Sequence, residues 1–443
     1  MNYLSKAFFF LKKEEILKIW GHAGFQKYFR NTGWMLAARI IGFITSFFTV
    51  AIIARYLGPE NLGKLEYAQS FIAIISVFAS LGIDQILYRD LITANKEEQN
   101  ELLGTAVSSK LFFGLLAFTA SISLSLILQN DFILTLLIGI SAMSFVVNPI
   151  GSVGILFNSK VKAKYRAQIS IFLAFFIPIL KILIMLLNKG IIFFAAIIFI
   201  ETLISTAWSI FIYITKFNGN PLSWRFNLRV FKKIILDSWP LLLAGLSGYI
   251  YAKMDQIMLL HYLNSRSVGI YGIAVRLTQV WSFFPGMIVE SLFPAIINAR
   301  KKNFNIYAKR FKILSLATVG LTVIITTPLY IFAPVVVKLI FGSAYIESTP
   351  ILHIYLWISV AITMVVLVHH YLVAENLGKI FLYISTIGAI TNIILNLILI
   401  PKFGTKGAAF STLTSYFMVV LSISLFKKSR NGIIKIFKVK KNG

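Results

Sequence analysis

The strongest constraint on the fold is a series of twelve apolar runs, each long enough to cross a lipid bilayer as a helix. The hydrocarbon core is about 30 Å thick and needs about 20 helical residues to span it. Lipid offers no hydrogen-bond partners, so only helices or closed barrels satisfy their own backbone there. Because 58% of the residues are hydrophobic and 13% are charged, we predict an all-α membrane protein with about 12 transmembrane helices. The runs lie at roughly 31–54, 67–88, 107–128, 132–156, 167–188, 191–214, 238–261, 270–296, 311–332, 350–373, 379–400 and 407–426.

The net charge of +27 is distributed unevenly along the chain. With the N-terminus inside, cytoplasmic segments and the inner ends of spans carry 32 of the 43 Lys and Arg residues. Seven lie in external segments: Arg55, Lys64, Lys189, Arg266, Lys338, Lys402 and Lys406. The other four lie deeper within spans: Arg39, Lys181, Lys253 and Arg276. This positive-inside bias predicts a membrane protein with both termini in the cytoplasm, and it explains the basic charge without nucleic acid.

Polar segments divide the chain into five predicted parts. They are a cytoplasmic amphipathic N-terminal segment (1–30), an N-lobe (31–215), a cytoplasmic linker (216–236), a C-lobe (237–426) and a basic cytoplasmic tail (427–443). The first segment mixes apolar residues with lysines, which favours a helix lying on the inner surface; a disordered basic tail is the alternative. At the end of the linker, Arg229 to Asp237 is predicted to form a surface helix.

Glycine and proline mark the places where helices break. Gly58-Pro59 is a turn signal that ends the first span. Asn148-Pro149 lies inside the fourth span and predicts a kink there.

An internal repeat relates the two halves at a constant offset of 206 residues. The matching pairs are Tyr56 and Tyr262, Leu57 and Leu263, Leu62 and Val268, Gly63 and Gly269, Ala68 and Ala274, and Gly42 and Gly248. Asp84 falls on Glu290 at the same offset. Such self-similarity is typical of transporters built from two structural repeats; chance matching among Leu-, Ile- and Gly-rich segments is the alternative. We predict two six-helix, pseudo-symmetric lobes.

Four cations lie where lipid would otherwise surround them: Arg39, Lys181, Lys253 and Arg276. Charges at this depth are costly, so they are expected to face a bundle interior or a watery cavity. Two come from each lobe, which predicts a central cationic cavity that attracts a phosphate or diphosphate. The arginines would bind it as forks and the lysines as point charges. The alternative is a set of separate structural ion pairs.

Four acids lie at similar depth and are candidates for ion coupling: Asp84, Glu201, Asp255 and Glu290. A buried carboxylate can take up and release a proton or bind Na⁺. Asp255 and Glu290 are the strongest candidates. A permanent structural partnership with a nearby cation is the alternative for each. Asp84 and Arg89, five residues apart, do not share a face of an ideal helix, so a pair between them at the inner mouth would rely on the reach of the Arg89 side chain.

The sequence offers no pattern for catalysis, a metal or a cofactor. It contains no cysteine, and the adjacent His369 and His370 would point to different faces of a helix. Asn392 and Asn396, four residues apart, are predicted to form interhelical hydrogen bonds. Phosphate-binding loops and Ser-His-Asp patterns are absent from the sequence, and the predicted external loops are too short for an enzymatic domain.

Several motifs resemble those of the bacterial polysaccharide-transporter family, which includes the O-antigen flippases. They are Arg55-Tyr-Leu-Gly-Pro-Glu60-x-x-Gly63, Gly82-Ile-Asp84-Gln, Ser238-Trp-Pro-Leu-Leu-Leu, Asp255-Gln-Ile-Met, Val268-Gly-Ile-Tyr-Gly-Ile-Ala-Val-Arg276, Ser291-Leu-Phe-Pro294 and Asn392-x-x-x-Asn396-x-x-Leu-Ile-Pro401-x-x-Gly404-x-x-Gly407. Each motif alone is weak evidence for the family, but the order and spacing of the motifs together are specific to it. The resemblance extends from about Asn31 to Lys427.

This resemblance implies a flippase of the multidrug/oligosaccharidyl-lipid/polysaccharide superfamily. The expected substrate is an undecaprenyl-diphosphate-linked oligosaccharide, such as an O-antigen or capsule repeat unit, moved across the inner membrane by alternating access. The expected partners are membrane lipids, H⁺ or Na⁺, and the polysaccharide polymerase machinery. A lipid II flippase or a drug/cation antiporter is the alternative within the same class, and a membrane polysaccharide polymerase or ligase is the alternative from another class.

Overall fold

A computed structural model describes residues 23–128 and 131–438 of the chain. The predicted N-terminal amphipathic segment lies outside the described residues up to residue 22, and so does the tail from residue 439. The described residues form helices joined by short connections, and they contain no strand.

The helices of the first half form the N-lobe. They are α1 (Ala23–Ser80), α2 (Ile83–Leu91), α3 (Lys96–Leu128), α4 (Phe132–Ala142), α5 (Ser144–Val147), α6 (Val153–Ser159), α7 (Lys164–Leu186) and α8 (Ile191–Phe217). A 3₁₀ segment at Asn148–Ser152 joins α5 to α6. This tighter turn begins at the predicted Asn148-Pro149 kink, because proline cannot donate the helical hydrogen bond.

The helices of the second half form the C-lobe and a short terminal helix. They are α9 (Leu228–Tyr262), α10 (Ser265–Lys302), α11 (Phe304–Phe341), α12 (Ser348–Ala374), α13 (Gly378–Ser422) and α14 (Lys427–Lys438).

Two of the ten apolar helical spans among the described residues are 48 residues long, far more than one crossing needs. Each contains one glycine in the left-handed region, Gly58 at φ 70° and Gly404 at φ 59°. Other residues rarely adopt this conformation, so glycine allows the chain to turn sharply there. Each long helix is therefore two crossings, which confirms the twelve predicted spans and the turn at Gly58-Pro59.

Successive crossings place the connections alternately at two ends of the bundle. One end, here the basic face, holds the connections at 91–96, 159–164, 217–228, 302–304 and 374–378, together with α14. The other end, here the opposite face, holds Gly58, Gly404 and the connections at 186–191, 262–265 and 341–348.

Repeat-related glycines bring the two lobes into close contact near the opposite face. A Cβ atom added to Gly63 would lie 1.7 Å from the carbonyl oxygen of Ser265, and one added to Gly269 would lie 2.0 Å from that of Pro59. No other residue fits at either position without moving the backbone. Small residues that allow close backbone approach are a common device of membrane helix packing.

Hydrogen bonds to backbone carbonyl groups reinforce this contact between the lobes. The Arg55 guanidinium donates to the carbonyl oxygens of Leu339 and Ile340, in the last turn of α11. The Tyr345 hydroxyl donates to the carbonyl oxygen of Ala54 at 2.8 Å. Arg55 thereby supplies partners and positive charge to the C-terminal end of a helix, where carbonyls lack intrahelical donors.

The predicted surface helix at Arg229 to Asp237 is not a separate element. It is the first part of α9, which runs unbroken for 35 residues. The Asn227 side chain caps this helix by accepting from the backbone N–H groups of Arg229 and Val230. Pro240 is accommodated inside the helix, so the surface portion and the seventh span are continuous.

We expect Gly269→Ala to destabilise the protein by about 1–3 kcal/mol, because the added methyl group overpacks a contact between backbones. Gly320→Ala is the matched control, since a Cβ there meets no atom within 4 Å. Thermal unfolding of both purified variants in detergent measures the difference. Equal melting temperatures for the two variants would show that the lobes do not pack at Gly269.

Candidate functional site

Six charged side chains line a cavity of about 660 Å³ between the lobes. Most of its wall comes from the N-lobe, and the C-lobe contributes Tyr249 and Arg276. We call it the main cavity. Its charged and amide side chains are Glu66, Gln69, Asp84, Lys110, Asn148, Lys181, Glu201 and Arg276.

An ion pair between the lobes closes one part of the main cavity. The Arg276 guanidinium on α10 binds the Glu66 carboxylate on α1 and also donates to Gln69 Oε1 at 3.4 Å. The Glu66 side chain is only 3% exposed, whereas Arg276 is 28% exposed. Gly272 makes room for Glu66, because a Cβ there would lie 3.0 Å from Glu66 Cγ. The buried acid therefore depends on a cation from the other lobe.

Lys181 and Glu201 line both the main cavity and a second cavity of about 670 Å³ within the N-lobe. Their charges attract each other, yet none of the described ion pairs joins them. The second cavity is also lined by Arg166 and by hydroxyl side chains of α1 and α8. Lys181 thus lies on the wall of the main cavity without an ion-pair partner among the described residues.

A second ion pair lies at the basic end of the main cavity. Lys110 is buried, and its Nζ donates at 2.8 Å both to Asp84 Oδ1 and to Ser152 Oγ. Asp84 therefore pairs with Lys110, and the reach of Arg89 does not bring it to Asp84. Five residues of separation put the two side chains on different faces of α2.

Arg89 instead ties α2 to the start of α9. It binds Asp90 at 2.6 Å and Asp237 at 2.7 Å. Burial alone would raise the pKa of Asp90, but the hydrogen bond from Arg89 and the charges of Arg89 and Lys233 outweigh it and lower that pKa. This cluster joins the lobes at the basic face.

Arg39 and Glu290 form a third ion pair between the lobes, at 2.8 Å, with each side chain about half exposed. Arg39 lines a separate cavity of about 410 Å³ together with Arg166 and Asn158. The structure therefore does not bring all four predicted cations into one cleft. Arg276 and Lys181 line the main cavity, whereas Arg39 lies nearer the basic face.

Lys253 does not line the main cavity, although its charge interacts with those of Glu66, Arg276 and Asp255. Asp255, two residues further along α9, is completely buried inside the C-lobe. Its Oδ2 accepts hydrogen bonds from Tyr271, from Tyr355 at 3.3 Å and from Thr412 at 2.8 Å. Its Oδ1 has no hydrogen-bond partner. A buried carboxylate with one unpartnered oxygen is costly unless a cation or a proton compensates it.

The two asparagines of α13 extend this network. Asn396 donates to Asn392 Oδ1 at 3.0 Å, and Asn392 donates to Thr412 Oγ1 at 3.5 Å. Only the bond from Asn392 to Thr412 joins two membrane crossings, as predicted, whereas the bond from Asn396 to Asn392 lies within one crossing. Asn396 Oδ1 is a second buried oxygen without a partner, so this part of the C-lobe is rich in oxygen acceptors.

Two charged residues of the main cavity, Glu66 and Lys110, were not predicted from the sequence. Glu66 was assigned to an external segment because the second span was predicted to begin at residue 67. Pro59 suits the first position of a helix, so a start there would have placed Glu66 two turns inside. The predicted third span, 107–128, puts Lys110 near its inner end, where a lysine can reach water. In the structure, the packing of α2 and the 3₁₀ segment against α3 buries it.

Comparison with known proteins identifies relatives along most of the chain. Residues 28–300 match the family described as polysaccharide biosynthesis protein. The capsular polysaccharide biosynthesis protein CapF of Staphylococcus aureus is 22% identical over 90% of this chain and 99% of its own length. The probable low-salt glycan biosynthesis flippase Agl15 of Haloferax volcanii is 26% identical over 39% of this chain and 37% of its own length.

Among solved structures, the lipid II flippase MurJ in an inward closed conformation has the same fold. The TM-score is 0.72 at 17% identity, with 92% of each chain covered.

We expect Arg276→Gln to destabilise the protein by about 3 kcal/mol, because Glu66 is left buried without its cation. The double variant Glu66→Gln/Arg276→Gln removes both charges and is expected to regain most of this stability. Unfolding of the wild type, both single variants and the double variant in detergent completes the cycle. Additive effects of the two substitutions would argue against an energetic link between the lobes at this pair.

Proposed function

The chain belongs to the polysaccharide biosynthesis protein family, and we propose that it is a flippase for an undecaprenyl-diphosphate-linked oligosaccharide. It moves an O-antigen or capsule repeat unit from the cytoplasmic to the outer leaflet of the bacterial inner membrane. In this proposal the basic face is cytoplasmic, as the positive-inside bias predicts. The protein transports its substrate and does not change it chemically.

The observation that carries the proposal is a cavity between two lobes with cations at membrane depth. A diphosphate is a compact, doubly anionic group that suits Arg276 as a fork and Lys181 as a point charge. The Tyr249 ring, also on the cavity wall, offers a face on which a sugar ring can stack. A low dielectric around the cavity strengthens each of these contacts relative to water.

In this proposal Glu66 makes the main cavity selective for anionic ligands. Its carboxylate holds Arg276 in this structure, and a diphosphate has to replace it on the same guanidinium. A neutral or cationic ligand gains nothing by that exchange. The cavity therefore selects anionic carriers, which separates this proposal from a drug/cation antiporter.

Alternating access follows from the two ends of the lobe interface. In this structure Gly63, Gly269 and Arg55 hold the opposite face together, while Arg39–Glu290 and Arg89–Asp237 span the lobes at the basic face. Opening outward separates the glycine contact and breaks Glu66–Arg276. Opening inward breaks Arg39–Glu290, whose half-exposed position makes it the weaker link.

We propose that the coupling ion acts at Asp255. Oδ1 of Asp255 and Oδ1 of Asn396 are buried oxygen atoms without hydrogen-bond partners. The oxygen atoms of the surrounding hydroxyl groups are further ligands that a cation can use. Hard cations such as Na⁺ prefer oxygen ligands, and a proton on Asp255 would remove the same electrostatic cost. Glu290, Asp84 and Glu201 are less suited, because Glu290 and Asp84 already bind cations and Glu201 is exposed to the cavities.

A lipid II flippase remains the alternative within the class, since the diphosphate carrier is the same and only the glycan differs. A polymerase or ligase is the alternative from another class. It would change the length of the glycan rather than its location, so product analysis separates the two.

We expect Arg276→Ala to slow translocation at least about tenfold, because a charged hydrogen-bond donor to the diphosphate is lost. The assay follows an undecaprenyl-diphosphate-linked oligosaccharide across proteoliposomes that contain the purified protein. Arg229→Ala is the matched control: it removes the same charge from an exposed position. Equal rates in both variants would contradict a role for the main cavity, and a change in glycan length without movement would favour the polymerase.

We expect Asp255→Asn to abolish the acceleration produced by an imposed proton or sodium gradient while slow, gradient-independent movement persists. The neutral amide neither carries a proton nor attracts a cation. Glu60→Gln, at an exposed site, is the control. Melting curves in NaCl and in choline chloride at fixed pH identify the ion, because only Na⁺ binding raises the melting temperature with salt identity. Full gradient acceleration in Asp255→Asn would exclude this site.

A further inference from the structure

The terminal helix α14 is fastened to the basic face of the C-lobe. Tyr371 of α12 donates from its hydroxyl to the carbonyl oxygen of Ser429 at 3.0 Å, and Lys312 of α11 donates to that of Phe437 at 2.9 Å. Ile436 is buried in the C-lobe core. These contacts fix both ends of α14.

Gly432 lets α14 approach closely enough for this arrangement. A Cβ at this position would lie 2.2 Å from the Tyr371 hydroxyl oxygen. Beside this contact, a cavity of about 400 Å³ lies between α14 and the ends of α10 and α12. We call it the headgroup pocket, and it is lined by Arg300, Phe304, Glu375, Lys428, Asn431, Gly432 and Lys435.

The headgroup pocket carries a net positive charge that the chain does not neutralise. Arg300 and Glu375 satisfy each other through two hydrogen bonds, at 2.8 and 3.0 Å. Lys428 and Lys435 add two further charges, and neither takes part in any ion pair among the described residues. The amide of Asn431 adds a hydrogen-bonding group. Two lysines and an amide around a concave site suit a phosphate group.

The neighbouring face of α14 indicates that the phosphate comes from lipid. Ile434 and Phe437 are 43% and 42% exposed, although both are strongly apolar, and Lys427 and Arg430 share their face at helical spacing. A helix with exposed apolar side chains flanked by basic ones lies in the headgroup region of a bilayer. The headgroup pocket is therefore at the depth of lipid phosphates.

We propose that the headgroup pocket binds the headgroup of an anionic phospholipid in the leaflet at the basic face. The lipid phosphate contacts Lys428, Lys435 and Asn431, while the acyl chains follow the apolar side chains of α14 into the membrane. The site is separate from the main cavity and does not depend on which substrate the protein transports.

The test titrates the purified full-length protein in detergent with phosphatidylglycerol and with phosphatidylcholine, and counts bound lipid by native mass spectrometry. We expect Lys428→Gln/Lys435→Gln to weaken phosphatidylglycerol binding about thirtyfold, because two charged hydrogen bonds to the lipid phosphate inside the headgroup pocket are lost. The matched control, Lys427→Gln/Arg430→Gln, removes two charges from the outer face of the same helix and is expected to retain most of the binding. Asn431→Asp, which places a carboxylate in the headgroup pocket, is expected to act like the lysine variant.

Three results would overturn the proposal. Equal losses in the two double variants would reveal general surface attraction without a pocket. Equal binding of phosphatidylglycerol and phosphatidylcholine would remove the need for an anionic headgroup. Glycerol 3-phosphate competing as tightly as phosphatidylglycerol binds would assign the site to a soluble phosphate. Melting temperatures without lipid show that each variant is folded, so a loss of binding reports on the headgroup pocket.

Discussion

The cost of placing a charge in a low dielectric governs the arrangement of this molecule. Arg276 meets Glu66, Lys110 meets Asp84, and Arg39 meets Glu290. Two of these three pairs join different lobes, so the same interactions that make the charges tolerable also hold the two halves together. Moving the lobes then means exchanging partners, because an unpaired charge is far more costly than a paired one.

The packing of the lobes complements this electrostatic link. Gly63 and Gly269 occupy equivalent positions in the two repeats, and each leaves room for the backbone of the other lobe. A two-fold arrangement brings equivalent residues of the two repeats together at its axis. One small residue in the repeat therefore places a small residue on both sides of the contact between the lobes. This contact holds by shape alone, with no charge to neutralise, which makes it compatible with repeated separation.

Structural features with a local physical cause could be predicted from the sequence, whereas features that depend on packing between distant segments could not. The spans follow from apolar length, and the sharp turn at Gly58 follows from the properties of a Gly-Pro pair. Arg276 and Lys181 lie on the wall of the main cavity, and their role as substrate ligands stays a prediction. The partner of Arg276 was missed because the predicted second span begins one residue after Glu66. The hydroxyl groups around Asp255 come from three other helices, α10, α12 and α13, and no spacing along the chain records that convergence. The residue boundaries of the predicted domains stay predictions.

One helix carries both ends of the suggested coupling. Tyr271, which donates to Asp255, and Arg276, which lines the main cavity, are five residues apart on α10. At 1.5 Å per residue this is about 7.5 Å along the helix axis. Under the proposed coupling at Asp255, a signal from the buried acid to a ligand in the main cavity needs no relay through distant parts of the protein. A small rotation of α10 about its own axis would displace the tyrosine and the arginine together. The same helix movement would then release both the ion and the ligand.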